Sequence, residues 1–256
     1  MKDLKYLYYF EKLLDEANND LVRQAKNEGK LAIGYTCFHM PEVLLNLDNC
    51  FSVRMRAPKT GATYYMTNYT CEYCRALLER AIEGGYNFLD AIAGVDACAM
   101  MNRAMENIEV QKLIDKKGFF VSHLDVPYKA NEDALEHYVQ QIQLKVLNKL
   151  KENFGVDISE DSMRKAVELH NEVCRIITKI GEFRKMDNPP ITGYEFHILN
   201  LVTYVCPKYL IVDKLRETLE EIKNRECDDK KNYRARVVVV GSEIDDPDLT
   251  KLIEES

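Results

Sequence analysis

Four short apolar runs, each followed by a stretch with helical spacing, constrain this chain more than any other feature. The runs are LAIGY (31–35), CFSVRMR (50–56), FLDAIAGV (88–95) and GFFVSHLDVP (118–127). Their length and their content of Val, Ile and Phe suit strands rather than helices. Between them, PEVLLNL carries Pro41 at a first helical position. TCEYCRALLERAIEGG places Cys74, Leu77, Leu78, Ala81 and Ile82 on one face, with Thr70 read as its N-cap and Gly84 with Gly85 as its stop. ACAMMNRAMENIEVQKLI supplies a third helix, and a polar helix over residues 2–28, ended by Gly29, precedes the first run. Strands alternating with helices pair in parallel, and the crossovers cover both faces of the sheet.

From residue 131 the pattern turns to helices alone, over 132–153, 159–186 with Ser159 as cap, and 193–225 broken at Pro207. The polar stretch NRECDDKKNYRA (224–235) reads as a linker, VVVVG (237–241) as a new strand, and a helix follows Pro247. The expected class is α/β: a Rossmann-like parallel sheet with a long helical insertion and the start of a second α/β domain. The corresponding units are residues 1–130 with the N-terminal helix, 131–226, and 234–256. A strand and two helical turns have little to pack against, so either 237–240 rejoins the first sheet or the chain is the front of a longer protein.

Charge and hydropathy narrow the function classes. With 35 Lys and Arg against 42 Asp and Glu, the net charge of -7 removes any general attraction to nucleic acid. No apolar run approaches the roughly 18 residues of a membrane span. The opening MKDLKYLYYFEKLLDE mixes both signs of charge, unlike a secretory signal, so a cytoplasmic location is expected. In that compartment the eight cysteines are thiols.

The densest chemical signal is a pair of cysteine neighbourhoods, TCEYCR (70–75) and DACAMMNR (96–103). Both lie where a strand or loop enters a helix. In a parallel sheet such junctions share the carboxyl edge, which brings Cys71 and Cys98 toward one crevice. Helix N-termini favour thiolate and an anionic iron-sulfur cluster, although buried thiols acting as small hydrophobes fit the same spacing. Cys71 and Cys74 also spell CxxC, the pattern of dithiol motifs and of half a zinc site, with no second CxxC to complete one. Glu42, just past the first strand, is a candidate acid or base beside His39, and a helix-start Glu is equally compatible with the dipole. RMRAPKTG (54–61) gathers Arg54, Arg56 and Lys59 at another such edge, suited to an anionic ligand or to plain solvation. His170 and Cys174 are read as core, and Cys37, Cys50, Cys206 and Cys227 as chemically bland.

At these residues the sequence resembles the 2-hydroxyacyl-CoA dehydratase and benzoyl-CoA reductase superfamily of iron-sulfur proteins. The resemblance is carried, in order, by GYTCFHMPEVLL, CEYCRALLERAIEGGYNFLD, VDACAMMNR, LDVPYK, ELHNEVCR, NPPITG and RVVVVGSEIDDPD. It implies two Rossmann-like domains per subunit and a 4Fe-4S cluster held by three cysteines between them. Cys71 and Cys98 would be two ligands, and the third would fall in the second domain. Glu42 matches the Pro-Glu pair near the substrate cleft, and Cys74 stands where the family often has another residue. The implied activity is loss of water from a 2-hydroxyacyl-CoA through a ketyl radical, after an ATP-dependent iron-sulfur activator protein injects one electron. The implied partners are that activator, a second dehydratase subunit or a homodimer mate, and an acyl-CoA. Two alternatives stand beside it: a double-cubane cluster reductase of small molecules, and a cluster-free α/β interaction scaffold.

Overall fold

Parallel pairing is what the alternation requires, and the four runs obey it. The computed structural model describes residues 2–227, 234–241 and 244–256. Strands β1 (Leu31–Tyr35), β2 (Cys50–Arg54), β3 (Ala91–Asp96) and β4 (Val121–Asp125) form one parallel sheet in the order β2-β1-β3-β4. Leu31 lies opposite Cys50, Ile33 opposite Ala91, and Ile92 opposite Val121. The chain steps outward from β1 to β2 and then crosses back to β3. The strand order therefore reverses between β1 and β3, and the crevice beyond their carboxyl ends is where open α/β sheets bind ligands.

The expected helix over residues 2–28 is two helices, α1 (Leu7–Leu13) and α2 (Asp20–Asn27), because its apolar residues serve two cores. Phe10 and Leu13 of α1 join a helical core, whereas Val22 and Ala25 of α2 pack on the sheet. Asn19 makes the break: its Oδ1 accepts from the Leu21 and Val22 amides at 3.1 Å, while its amide donates to Val205 O at 3.3 Å. Past β1, the PEVLLNL segment tightens into a 3-10 turn, Glu42–Leu45, rather than an α-helix. Asn46 ends it by donating back to Glu42 O at 2.9 Å and accepting from the Ser52 amide at 3.1 Å.

Helices α3 (Glu72–Ile82) and α4 (Ala99–Val110) cover one sheet face with α2, burying Leu77, Leu78, Met105 and Ile108 against Phe51, Val53, Ile92 and Val121. The other face is covered by α5 (Glu132–Ile142), which runs through a π turn (Gln143–Leu147) into α6 (Asn148–Phe154). Their Ile142, Val146, Leu147 and Leu150 pack on Ile33, Tyr35, Ala93 and Leu124. The first part of the expected helical insertion is thus a layer of the α/β sandwich. Helices α7 (Glu160–Glu182), α8 (Gly193–Val205) and α9 (Lys208–Lys223) share a separate core with α1, through Ile180, Leu199, Val202 and Leu215. As expected, Ser159 caps α7 and Pro207 separates α8 from α9.

The strand expected over 237–240 does not form. Among the described residues these valines pair with neither β2 nor β4, and they stay 45–86% exposed. Valine favours strands by packing on a pleated neighbour, so its preference has nothing to act on here. Helix α10 (Pro247–Glu255) follows, and Glu254 accepts from the Gly193 and Tyr194 amides at 2.5 and 3.0 Å, satisfying the open start of α8. Residues 228–233 of the expected linker, and 242–243 before α10, lie outside the described residues. Among the described residues, no helix is long and apolar enough to cross a membrane.

Candidate functional site at the carboxyl edge of the sheet

Cys71 and Cys98 occupy equivalent places, each the N-cap of its helix, Cys71 for α3 and Cys98 for α4. The expected cap, Thr70, is displaced outward by one residue. N-caps are normally Ser, Thr, Asn or Asp, whose oxygens accept from the first-turn amides. Neither cysteine side chain makes such a bond, and both residues are exposed, so two thiols stand at two positive helix ends on one sheet edge. The Cys71 amide donates to Met100 Sδ at 3.2 Å, which ties the start of α3 to the first turn of α4.

Cys74 lies one turn into α3 and is buried, 2% exposed. Burial first, and then the neighbouring Cys71 and Cys98, push its thiol up to about 12. The three sulfurs are neighbours, yet among the described residues no three His, Cys, Asp or Glu side chains converge on a single metal position. The loop that feeds α3 is anchored from below. Tyr73 donates to Met55 O at 2.7 Å, Tyr86 donates to Arg56 O at 2.7 Å, and Arg75 donates twice to Thr63 O at 3.3 and 3.2 Å. Tyr64, Tyr65, Tyr69 and Met100 stay open to solvent, giving this corner an apolar rim.

Glu42 sits past the end of β1, at the reversal point, in a buried polar network. Its Oε1 accepts from Lys208 Nζ at 2.5 Å, from Asn46 Nδ2 at 2.9 Å and from the Ser52 hydroxyl. His170 Nδ1 lies 3.3 Å from Oε2. Burial alone would favour the neutral acid, but Lys208, His170 and Ser52 together draw the carboxyl down to about 2. The group is a held anion at neutral pH. His170 in turn meets Cys174 Sγ at 3.4 Å, and Cys174 is exposed. The core reading of this helical pair is thereby corrected: their face of α7 turns toward the Glu42 turn rather than into the apolar interior. Lys208 was not anticipated. A lysine at the first position of a helix opposes the dipole, and that mismatch directly after Pro207 is the sequence signal that could have marked it.

Arg54 and Arg56, expected at a ligand edge, are buried at 2% and 5% exposure and face the segment before α10. Arg56 donates to Asp245 Oδ2 at 2.7 Å, to Asp245 O at 2.9 Å and to Leu14 O at 3.0 Å, while Arg54 Nη1 lies 3.5 Å from Asp245 Oδ1. The Arg54 guanidinium also lies 5.7 Å from the ring centre of Phe38, which packs edge-on against Tyr204 at 5.3 Å. The Tyr204 hydroxyl, raised by burial, feels the charges of Arg54 and Glu42, so these residues form one neighbourhood. His39 is exposed beside it, and its carbonyl accepts from Tyr138. Lys59 pairs on the surface with Asp15 at 2.8 Å. Cys50 and Cys206 are buried thiols pushed up to about 12 by burial, in keeping with inert roles.

The donor set suits an iron-sulfur group in its chemistry, since thiolates are the usual ligands and helix N-termini offset the cluster's negative charge. Comparison with known proteins agrees in kind. Over nearly all of its length the chain is similar to the (R)-phenyllactyl-CoA dehydratase beta subunit of Clostridium sporogenes, with 22% identity over 255 residues, covering 98% of this chain and 67% of that subunit. The family model for the D-component of 2-hydroxyglutaryl-CoA dehydratase matches residues 37–256, a span that includes Glu42, the three clustered cysteines, Lys208 and Asp245. With that match covering most of its length, the chain belongs to the 2-hydroxyglutaryl-CoA dehydratase D-component family.

Proposed function

We propose that this chain is the iron-sulfur subunit of a 2-hydroxyacyl-CoA dehydratase, a lyase that removes water from its substrate by a ketyl-radical route. One observation carries the reading: in a member of this family, Cys71 and Cys98 are the uncapped N-caps of adjacent helices at the sheet's carboxyl edge. These two would hold a 4Fe-4S cluster as two of its ligands. The cluster would supply one-electron chemistry at low potential and Lewis-acid iron. Around it the chain's own residues bind and orient. Glu42, ionised and held on two sides by Lys208 and His170, presents a fixed negative charge rather than a mobile proton. Arg54 and Arg56, buried and facing Asp245, fix the segment before α10 against this edge rather than meeting a ligand directly. The exposed tyrosines of the β2–α3 loop offer surface for an acyl chain or a covering domain. A second dehydratase subunit and an ATP-hydrolysing electron donor are the partners this reading requires.

The test is anaerobic reconstitution with iron and sulfide, followed by metal counting and visible spectroscopy. The chain should take up both, below full occupancy and with rapid loss in air. Cys71→Ser and Cys98→Ser should abolish the broad visible absorption, and Cys74→Ser should keep most of it. Uptake of no iron by the unmodified chain would refute the proposal, and equal loss in all three variants would move the first ligand away from Cys71.

A further inference from the structure

The dehydratase reading leaves Cys74 without work, and its surroundings point to another chemistry. Cys71 is exposed at the cap of α3, and Cys74 is buried one turn along the same helix, three residues on, the CxxC placement of dithiol motifs at a helix start. Residues three apart on a regular helix hold their Cβ atoms about 5–6 Å apart, whereas a disulfide needs roughly 3.5–4.5 Å. Cys71, however, is a cap and not a helical residue: its ψ is 130°, and its carbonyl is tied to the helix by the Arg75 amide at 3.1 Å. Rotation at the cap can close the remaining gap while α3 stays wound. Cys98 is a poorer mate, since it is the cap of a different helix.

We propose that Cys71 and Cys74 form a redox-active dithiol that closes to an intrahelical disulfide on exposure to a small-molecule disulfide. Cys71 is the attacking thiol because it is the one solvent reaches. Its sulfur, as thiolate, attacks one sulfur of the oxidant, forming a mixed disulfide and releasing one small thiolate. Cys74, its proton passing to solvent, then attacks Cys71 Sγ and displaces the second small thiolate. Two protein thiols are oxidised, and one small disulfide is reduced to two thiols. Disulfide formation stands apart from the cluster reading. If that reading also holds, closure removes a cluster ligand, so oxidised chain would take up no iron until reduced.

The experiment uses the full metal-free chain, reduced and then treated anaerobically with oxidised glutathione. Remaining thiols are alkylated under denaturing conditions before digestion with trypsin. Lys59 and Arg75 bracket residues 60–75, so one peptide holds both Cys71 and Cys74, and Cys98 lies in another. The expected product is that peptide lacking two hydrogens, with no alkylation and no glutathione. In Cys74→Ser, the glutathione adduct should persist on Cys71; in Cys71→Ser, Cys74 should remain a free thiol. A bridge from Cys71 to Cys98, a stable glutathione adduct on Cys71 in the unmodified chain, or full alkylation of both cysteines would each overturn the proposal. Iron uptake, measured separately, fails or succeeds without affecting this result.

Discussion

Replacing Lys208 by Met is the sharpest probe of the buried network, because it removes one charge and nearly preserves the volume. Lys208 and Glu42 have side chains 4% and 9% exposed and meet at 2.5 Å. Each pH unit is worth about 1.4 kcal/mol, so a carboxyl drawn from 4.5 to about 2 stabilises the fold by roughly 3 kcal/mol at neutral pH. The folded pKa lies below the unfolded one, so this stability is complete above pH 4.5 and fades as the pH falls through about 2. Without the ammonium the carboxylate is stranded, and folded Glu42 takes up a proton more readily than the unfolded chain does. The sign then reverses, and the variant loses stability as pH rises. Urea unfolding should show a deficit of about 3–5 kcal/mol at pH 7, as for a broken buried pair, shrinking steadily toward acid pH. Adding Glu42→Gln to Lys208→Met should restore most of it, since the uncompensated charge is then gone. A loss under about 1 kcal/mol at pH 7, typical of an exposed pair, would refute this reasoning, as would a deficit that does not change with pH.

Two further outcomes follow from packing and charge. A Cβ built on Gly94, in β3, would lie 2.7 Å from the Ser122 carbonyl oxygen of β4, a backbone atom with no room to move. Gly94→Ala should therefore cost roughly 1–3 kcal/mol in urea unfolding, and a neutral result would mean that the strands separate easily. Asp245→Asn leaves Arg54 and Arg56 without their shared charge; it should cost about 2 kcal/mol, less than a fully buried pair because Asp245 keeps 21% exposure. Hydrogen exchange over residues 244–256 should accelerate in that variant, and unchanged protection would show that the Glu254 contacts with α8 suffice to hold α10.

Where the physics was local, the sequence sufficed. The strand runs, the parallel class, Ser159 as a cap, Pro207 as a break and the placing of Cys71 and Cys98 at helix starts all depend on neighbours in the chain and on the hand of the crossover. Partners distant in sequence had to be supplied by the fold. Glu42 and Lys208 are 166 residues apart, and Arg56 and Asp245 are 189 apart. No periodicity encodes which lysine meets which carboxylate across three packed layers. The break between α1 and α2 is of the same kind, since only the arrival of α8 decides that Phe10 and Val22 face different cores. Residues 237–240 mark the converse limit: four valines carry a strong strand preference, yet a strand is a property of a pair, and among the described residues no second strand lies beside them.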